Sequence, residues 1–192
     1  MPPEQFSPTS SYAFWEGAFT PAELDQIEAL GDALTLDKAT LIGGAEEDKF
    51  DHIRITRTAW IRPSPDTKWI YDRMQAVIRT LNDKVWQFDL RGFSEDFQYT
   101  VYDGSEGGHY DWHVDLGDLV KLRKLSLSLQ LTDASAYEGC ELQIHDGRRV
   151  ETAPKERGTV IVFPSYVLHR VTPITSGIRK SVVVWTTGPK FR

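Results

Sequence analysis

The chain has 192 residues, with 22 Lys and Arg against 28 Asp and Glu, a formal net charge of −6. That length suits one domain (1–192) that builds a core without disulfides, and the single cysteine, Cys140, makes an intrachain disulfide impossible and points to a reducing, cytoplasmic setting. The acidic balance speaks against a nucleic-acid or anionic-membrane partner, no apolar run exceeds four residues, and MPPEQFSPTS carries no export signal.

The first element is marked by Thr20-Pro21-Ala22-Glu23. It reads as a capping box with proline at the first helical position. Leu24, Ile27, Leu30 and Leu34 follow near a 3.6-residue period, which predicts an amphipathic helix over about 21–34. Gly43-Gly44 and Glu46-Glu47-Asp48 predict a loop, and Ile53–Ile61 a strand. Pro63-Ser64-Pro65-Asp66 precedes a second helix over about 66–83, with Ile70, Met74, Val77, Ile78 and Leu81 along one side. From Phe97 the period shortens to two. Strands are expected at 97–103, 109–116, 124–132, 140–145, 158–163, 167–173 and 179–187, between Gly, Asp and Pro turns. Helices over about 20–85 followed by a strand-rich half over about 97–187 predict an α+β protein with a sandwich or barrel.

The chemistry begins at His109-Tyr110-Asp111-Trp112-His113-Val114-Asp115. Side chains two apart in a strand share a face, so His113 and Asp115 converge on one point. The same parity admits His109 and Asp111 as a shifted alternative. Imidazole nitrogen and carboxylate oxygen suit an ion such as Fe(II), which two His and one carboxylate bind on one face while leaving positions open. Of the remaining histidines, His52, His145 and His169, the last lies in a β-type run, Tyr166–Val171, and is the best third ligand. In the last strand Arg179, Ser181, Val183 and Trp185 share parity. An arginine turned inward needs an anion, because a buried unpaired charge is costly. A guanidinium fork beside a hydroxyl is well made for a carboxylate. Trp112 reads as core packing and Cys140 as a small buried hydrophobe.

His113-x-Asp115, His169 and Arg179 together resemble the 2-oxoglutarate/Fe(II)-dependent dioxygenase superfamily, closest in style to its prolyl-4-hydroxylase and PKHD-type branches. The resemblance covers about Phe97–Trp185. It implies a double-stranded β-helix (jelly roll) with helices packed on one sheet. It further implies that His113, Asp115 and His169 bind Fe(II), that Arg179 grips the distal carboxylate of 2-oxoglutarate, and that Ser181 adds a hydroxyl. Tyr102-Asp103-Gly104 is similar to a Tyr-x-x-Gly segment whose tyrosine lines the cosubstrate pocket. By the same likeness Ser128 and Gln130, on the even face of 125–131, lie beside 2-oxoglutarate. Gly139-Cys140-Glu141-Leu142 resembles a Gly-Gly-x-Leu turn that places Leu142 there, with Cys140 standing for the second glycine.

The implied activity is hydroxylation of a C–H bond using O2, with release of succinate and CO2 and with ascorbate as a candidate reductant. The expected substrate is a prolyl or other residue of a peptide or protein; the alternative is a small molecule such as a free amino acid. A different class, a non-catalytic jelly-roll or cupin-type binding protein, fits less well, because cupins use His-x-His with Glu and have no use for Arg179. Substrate recognition is expected from the 43–52 loop, the 103–109 turn and segment 86–96. Oligomeric state is not readable from the sequence.

Overall fold

The computed structural model describes residues 6–8, 11–39, 52–117 and 122–191, and the 43–52 loop, His52 aside, lies outside them. The elements in chain order are β1 (Phe6–Pro8), β2 (Ala13–Trp15), α1 (Pro21–Asp32), β3 (Asp37–Lys38), β4 (Arg54–Ile55), β5 (Arg57–Ile61) and α2 (Lys68–Val85). There follow β6 (Gly92–Phe93), β7 (Phe97–Asp103), β8 (His109–His113), β9 (Arg123–Gln130), β10 (Tyr137–Gly139) and β11 (Leu142–His145). The last are β12 (Val150–Thr152), β13 (Val160–Pro164), β14 (His169–Val171) and β15 (Ile174–Thr187).

Helix α1 starts where its capping box dictates. Thr20 Oγ1 accepts from the Glu23 amide and Glu23 Oε2 accepts from the Thr20 amide. Helix α2 begins two residues later than the sequence suggests. Thr67 and Ser64 bond each other reciprocally, amide to hydroxyl in both directions, and this turn consumes the segment after Pro63. The stripe Ile70, Met74, Val77, Ile78 and Leu81 is buried, each side chain contributing about 1.5–3 kcal/mol.

Among the described residues the strands form two antiparallel sheets. The larger has the order β1-β2-β13-β9-β15-β7-β5-β3, with β6 and β10 also pairing to β15; the smaller is β12-β11-β14-β8-β4. From β7 onward the chain crosses repeatedly between the two sheets, which is the double-stranded β-helix. The two-residue period of the strands decides what each face meets. Leu125, Leu127, Leu129, Val160, Val162, Val182, Val184, Phe97, Tyr99 and Val101 point outward to α1 and α2 in one hydrophobic core. The alternate residues of the same strands point inward, where Ile161, Phe163 and Tyr102 meet Leu142, Ile144 and Val171 of the smaller sheet. The helices therefore brace one sheet and leave the space between sheets for the site.

Gly31 sets how closely α1 approaches that sheet. A Cβ there would lie 2.3 Å from Tyr99 Cε2, and the Tyr99 hydroxyl donates to Asp32 Oδ1 at 2.7 Å just beyond. Gly31→Val should cost about 2 kcal/mol or more, because overpacking outweighs any gain in helix propensity. A lower midpoint in chemical denaturation with an unchanged slope is the expected result.

Several boundaries differ from expectation. The strand expected at Ile53–Ile61 is two strands in different sheets: β4 pairs with β8, β5 with β7. Buried Thr56 makes the turn between them and donates to Val101 O at 2.8 Å. The strand expected at 109–116 ends at His113, and the last strand starts earlier, at Ile174. β2 was hidden by its shortness; it pairs Ala13–Trp15 with Val160–Val162. Trp112 is not in the core: it lies half-buried on the outer face of the smaller sheet, against His145 and under Arg170. Cys140 is buried as expected, at φ 50° after Gly139 at φ 71°. The turn thus keeps a left-handed backbone although only one of its two residues is glycine. Among the described residues no helix is long and apolar enough to cross a membrane.

Candidate active site

Two irregularities bring the histidines and the aspartate together. In β8 the pairs His169↔His113 and Val171↔Tyr110 count three residues against two, a β-bulge. It places Tyr110, not Asp111, on the His113 face, and the two rings stack at 3.5 Å. This is why the shifted alternative through His109 and Asp111 fails: His109 Nδ1 instead meets Gly107 O at 2.9 Å. Asp115 lies beyond the strand end, so parity is not what orients it. Its amide donates to Ser165 O at 2.8 Å, and this turns the carboxylate inward.

His113 Nε2 is then 3.8 Å from Asp115 Oδ1, and His169 Nε2 is 3.5 Å from Asp115 Oδ2. One ligand atom from each of the three residues lies within 4.8 Å of the others. The opposite ring nitrogens fix the tautomers. His113 Nδ1 faces Asp111 O at 2.7 Å and His169 Nδ1 faces Val167 O at 2.9 Å. A carbonyl only accepts, so both Nδ1 atoms carry the proton and both Nε2 lone pairs point at the carboxylate. Three electron-rich atoms aimed at one point call for a cation.

The electrostatics agree. Burial pushes the His113 imidazole down to about 4, with repulsion from His169 adding to it and Asp115 opposing. Burial alone would raise the Asp115 carboxyl, but a hydrogen bond and positive charge from the His169 and His113 rings in their protonated form, with the Trp185 indole donating, hold it well below the usual carboxylate range; a cation in place of those protons acts in the same direction. At neutral pH the site therefore offers neutral His113 and ionised Asp115.

Asp115 is also held from behind. Ser126 Oγ donates to its Oδ2 at 2.8 Å and Trp185 Nε1 donates to the same oxygen at 2.9 Å. Ser165 Oγ lies 3.0 Å from Ser126 Oγ. Oδ1 receives no donor among the described residues and stays open to a metal. Arg123 covers the Trp185 ring at 3.9 Å and is tied by two 2.8 Å bonds to Glu95. Parity already puts Trp185 on the face of Arg179 and Ser126 on the face of Ser128, but their roles behind Asp115 are not readable from the sequence, and Glu95 and Arg123 carry no signal there. Trp185→Phe removes one donor and keeps the packing. It should weaken metal affinity about 10- to 100-fold, measured by isothermal titration with Mn(II), with little change in melting temperature.

The triad opens into a cavity of about 330 Å³ between the sheets. Arg179, Ser181, Val183 and Trp185 of β15 all line it, as their shared parity predicts, together with Tyr102, Ser128 and Leu142. Gln130 reaches the site indirectly: its Oε1 accepts from Arg179 Nε at 3.1 Å and Nη2 at 2.9 Å. Arg179 is only 2 % exposed, yet no carboxylate among the described residues pairs with it. Ser181 Oγ is buried beside it without a partner among the described residues, and the Tyr137 hydroxyl and Cys140 thiol lie against the guanidinium. Burial pushes the Tyr102 phenol up to about 12, so it is a neutral donor here. A buried, uncompensated guanidinium with an idle hydroxyl fits a carboxylate-bearing ligand.

A family model described as the 2OG-Fe(II) oxygenase superfamily matches residues 97–187. A PKHD-type hydroxylase of Synechococcus sp. is 42 % identical over 81 residues, 42 % of this chain and 36 % of that protein. Another, from Hyphomonas neptunium, is 38 % identical over 85 residues, again 42 % of this chain and 38 % of that protein. The matched stretch thus spans little more than a third of those relatives' length. Among solved structures, a Pseudomonas putida prolyl-4-hydroxylase is similar with a TM-score of 0.72 and 19 % identity, over 97 % of this chain and 94 % of that one. A Trichoplax adhaerens prolyl hydroxylase, solved with a hypoxia-inducible-factor peptide fragment, gives a TM-score of 0.75 and 18 % identity, over 94 % and 84 %. The backbone therefore has the fold of these two structures, and residues 97–187, which carry the triad and the buried arginine and make up just under half of the chain, match the 2OG-Fe(II) oxygenase superfamily model.

Proposed function

We propose that this protein is an Fe(II)- and 2-oxoglutarate-dependent oxygenase that hydroxylates a C–H bond of a prolyl or other residue in a peptide or protein, releasing succinate and CO2. The observation that carries this is one cavity holding both a His–Asp–His cluster within 4.8 Å and a buried arginine lacking a carboxylate partner. When bound, iron and 2-oxoglutarate together supply the O2 chemistry by which a C–H bond becomes C–OH.

The chain's own residues do the rest. His113 Nε2, His169 Nε2 and Asp115 Oδ1 would hold the metal on one face, with the other positions open to ligands. Arg179, aligned by Gln130, and the Ser181 hydroxyl would hold the distal carboxylate of 2-oxoglutarate. That bond is strong because the site is dry. Tyr102, Ser128 and Leu142 would wall the cosubstrate, and Phe163 and Val171 keep water out. The helical segment supports the sheet that carries Arg179, so the described parts act as one domain. The single cysteine and the acidic balance support a cytoplasmic protein without a nucleic-acid partner.

A peptide substrate is supported by the prolyl-hydroxylase fold and by the Trichoplax structure's peptide. The test is a succinate-release screen over prolyl peptides, free amino acids and methylated oligonucleotides. Stimulation by prolyl peptides is the expected result. Stimulation by free amino acids alone would move the substrate to small molecules, and an iron-independent outcome in every arm would overturn the oxygenase assignment.

A further inference from the structure

At the mouth of the cavity a second guanidinium lacks a carboxylate partner among the described residues. Arg54 belongs to β4, the edge strand of the smaller sheet. Its guanidinium carbon sits 4.6 Å over the Tyr110 ring, and that ring stacks on His113. Nη2 donates to Gln98 Oε1 at 3.1 Å and the guanidinium also hydrogen-bonds the Tyr110 side chain, while Nε is buried without a partner among the described residues. Only one aromatic ring separates this cation from a candidate metal ligand.

The position of Gln98 locates it. Gln98 pairs with Val183 and Tyr102 with Arg179, so the two arginines contact β7 four residues apart. At ~3.3 Å per residue these two backbone positions lie roughly 13 Å apart along the strand, so Arg54 enters from the other end of the cavity, although both guanidinium charges act on the Tyr102 hydroxyl. Trp60, paired to Gln98 and 41 % exposed, marks this as the outer end.

Carboxylates nearby do not satisfy Arg54. Glu95, lining the same cavity, spends both oxygens on Arg123. Asp37 shares an adjoining depression with Arg54 but forms no ion pair with it. Among the described residues the mouth therefore keeps one unpaired positive charge, in a chain of net charge −6. A half-buried guanidinium with an idle N–H, held rigid over an aromatic ring, is built to receive an anion.

We propose that Arg54 is a specificity-determining residue that binds a carboxylate carried by the substrate close to the carbon to be hydroxylated. The inference rests on the oxygenase reading and deepens it by assigning the substrate's chemical class. The carboxylate has two possible sources: the substrate's own α-carboxylate, as at a C-terminus or in a free amino acid, or an acidic side chain beside the target residue.

The test is calorimetric binding without turnover, with Mn(II) in place of iron and 2-oxoglutarate saturating. One probe pair is N-acetylproline against N-acetylprolinamide. The other is an internal prolyl peptide with Asp beside the proline against the same peptide with Asn. In at least one pair the carboxylate member should bind about tenfold tighter or better, and the pair that responds identifies the source. Arg54→Gln should bring that ratio to about one, and Arg54→Lys should restore part of it. Binding of 2-oxoglutarate should be unchanged in both variants. Equal affinities within both pairs, a preference that survives Arg54→Gln, or a loss confined to 2-oxoglutarate would each overturn the proposal. Failure of the wild-type protein to bind 2-oxoglutarate at all would instead sink the underlying oxygenase reading.

Discussion

Asp115→Ala is expected to abolish iron-dependent succinate formation, with at least a ~100-fold loss of activity, because it removes the one negative ligand from a buried metal site. Asp115 is 9 % exposed, and its Oδ2 already accepts from Ser126 and Trp185. Oδ1 is the oxygen left for a metal. Without the carboxylate, two imidazoles with lone pairs converging would face each other with nothing to offset the charge of a bound cation. The indole N–H and the serine hydroxyl would also lose their acceptor. A companion variant separates these effects. Asp115→Asn keeps an oxygen for the two donors while removing the charge, so it should retain more stability than the alanine variant yet be just as inactive. Thermal melting and succinate release, measured on both variants, check this. Retained turnover in either would mean that the three residues are not the metal site.

Arg179→Met should produce the second large effect, and of a different kind. Truncating one partner of a buried charge pair costs about 2–5 kcal/mol, which is roughly a 30- to 4000-fold rise in the 2-oxoglutarate requirement. The apo protein should respond oppositely. In the absence of cosubstrate Arg179 is a buried charge met by neutral groups, the Gln130 carbonyl and the Cys140 and Tyr137 side chains, so replacing it with an apolar side chain of similar length should leave stability unchanged or raise it. Wild-type protein should gain melting temperature on adding 2-oxoglutarate by mass action, and the variant should not. A variant that melts early without ligand, or that still responds to 2-oxoglutarate, would show that Arg179 serves packing alone.

Much of this site was legible because β-structure has a strict period and the chemistry falls on it. Leu125, Leu127 and Leu129 face the helices while Ser126 and Ser128 face the cavity. Arg179, Ser181, Val183 and Trp185 share the inner face of β15 as their spacing requires. Where the period breaks, the sequence is silent. The bulge in β8 exchanges Asp111 for Tyr110 on the His113 face, and no local residue announces it. Asp115 reaches the site through a backbone bond to Ser165, fifty residues away, so the equal parity of His113 and Asp115 leads to the same pairing by a route the fold does not use. Trp112 looked like core because it is large and apolar; that same bulge turns it outward to Arg170. Arg54 sits where two short strands split between sheets, and only the assembled fold brings it to Tyr110 and Gln98.

The central claim is that one cation and one dicarboxylate share this cavity, joined by direct coordination. Anaerobic titration of the protein with Fe(II) and 2-oxoglutarate tests it most directly. A visible metal-to-ligand charge-transfer band that needs both components and saturates at one equivalent of each is the expected result. A protein that binds Fe(II) but develops no band with 2-oxoglutarate, as a cupin-type metal-binding protein would, contradicts it.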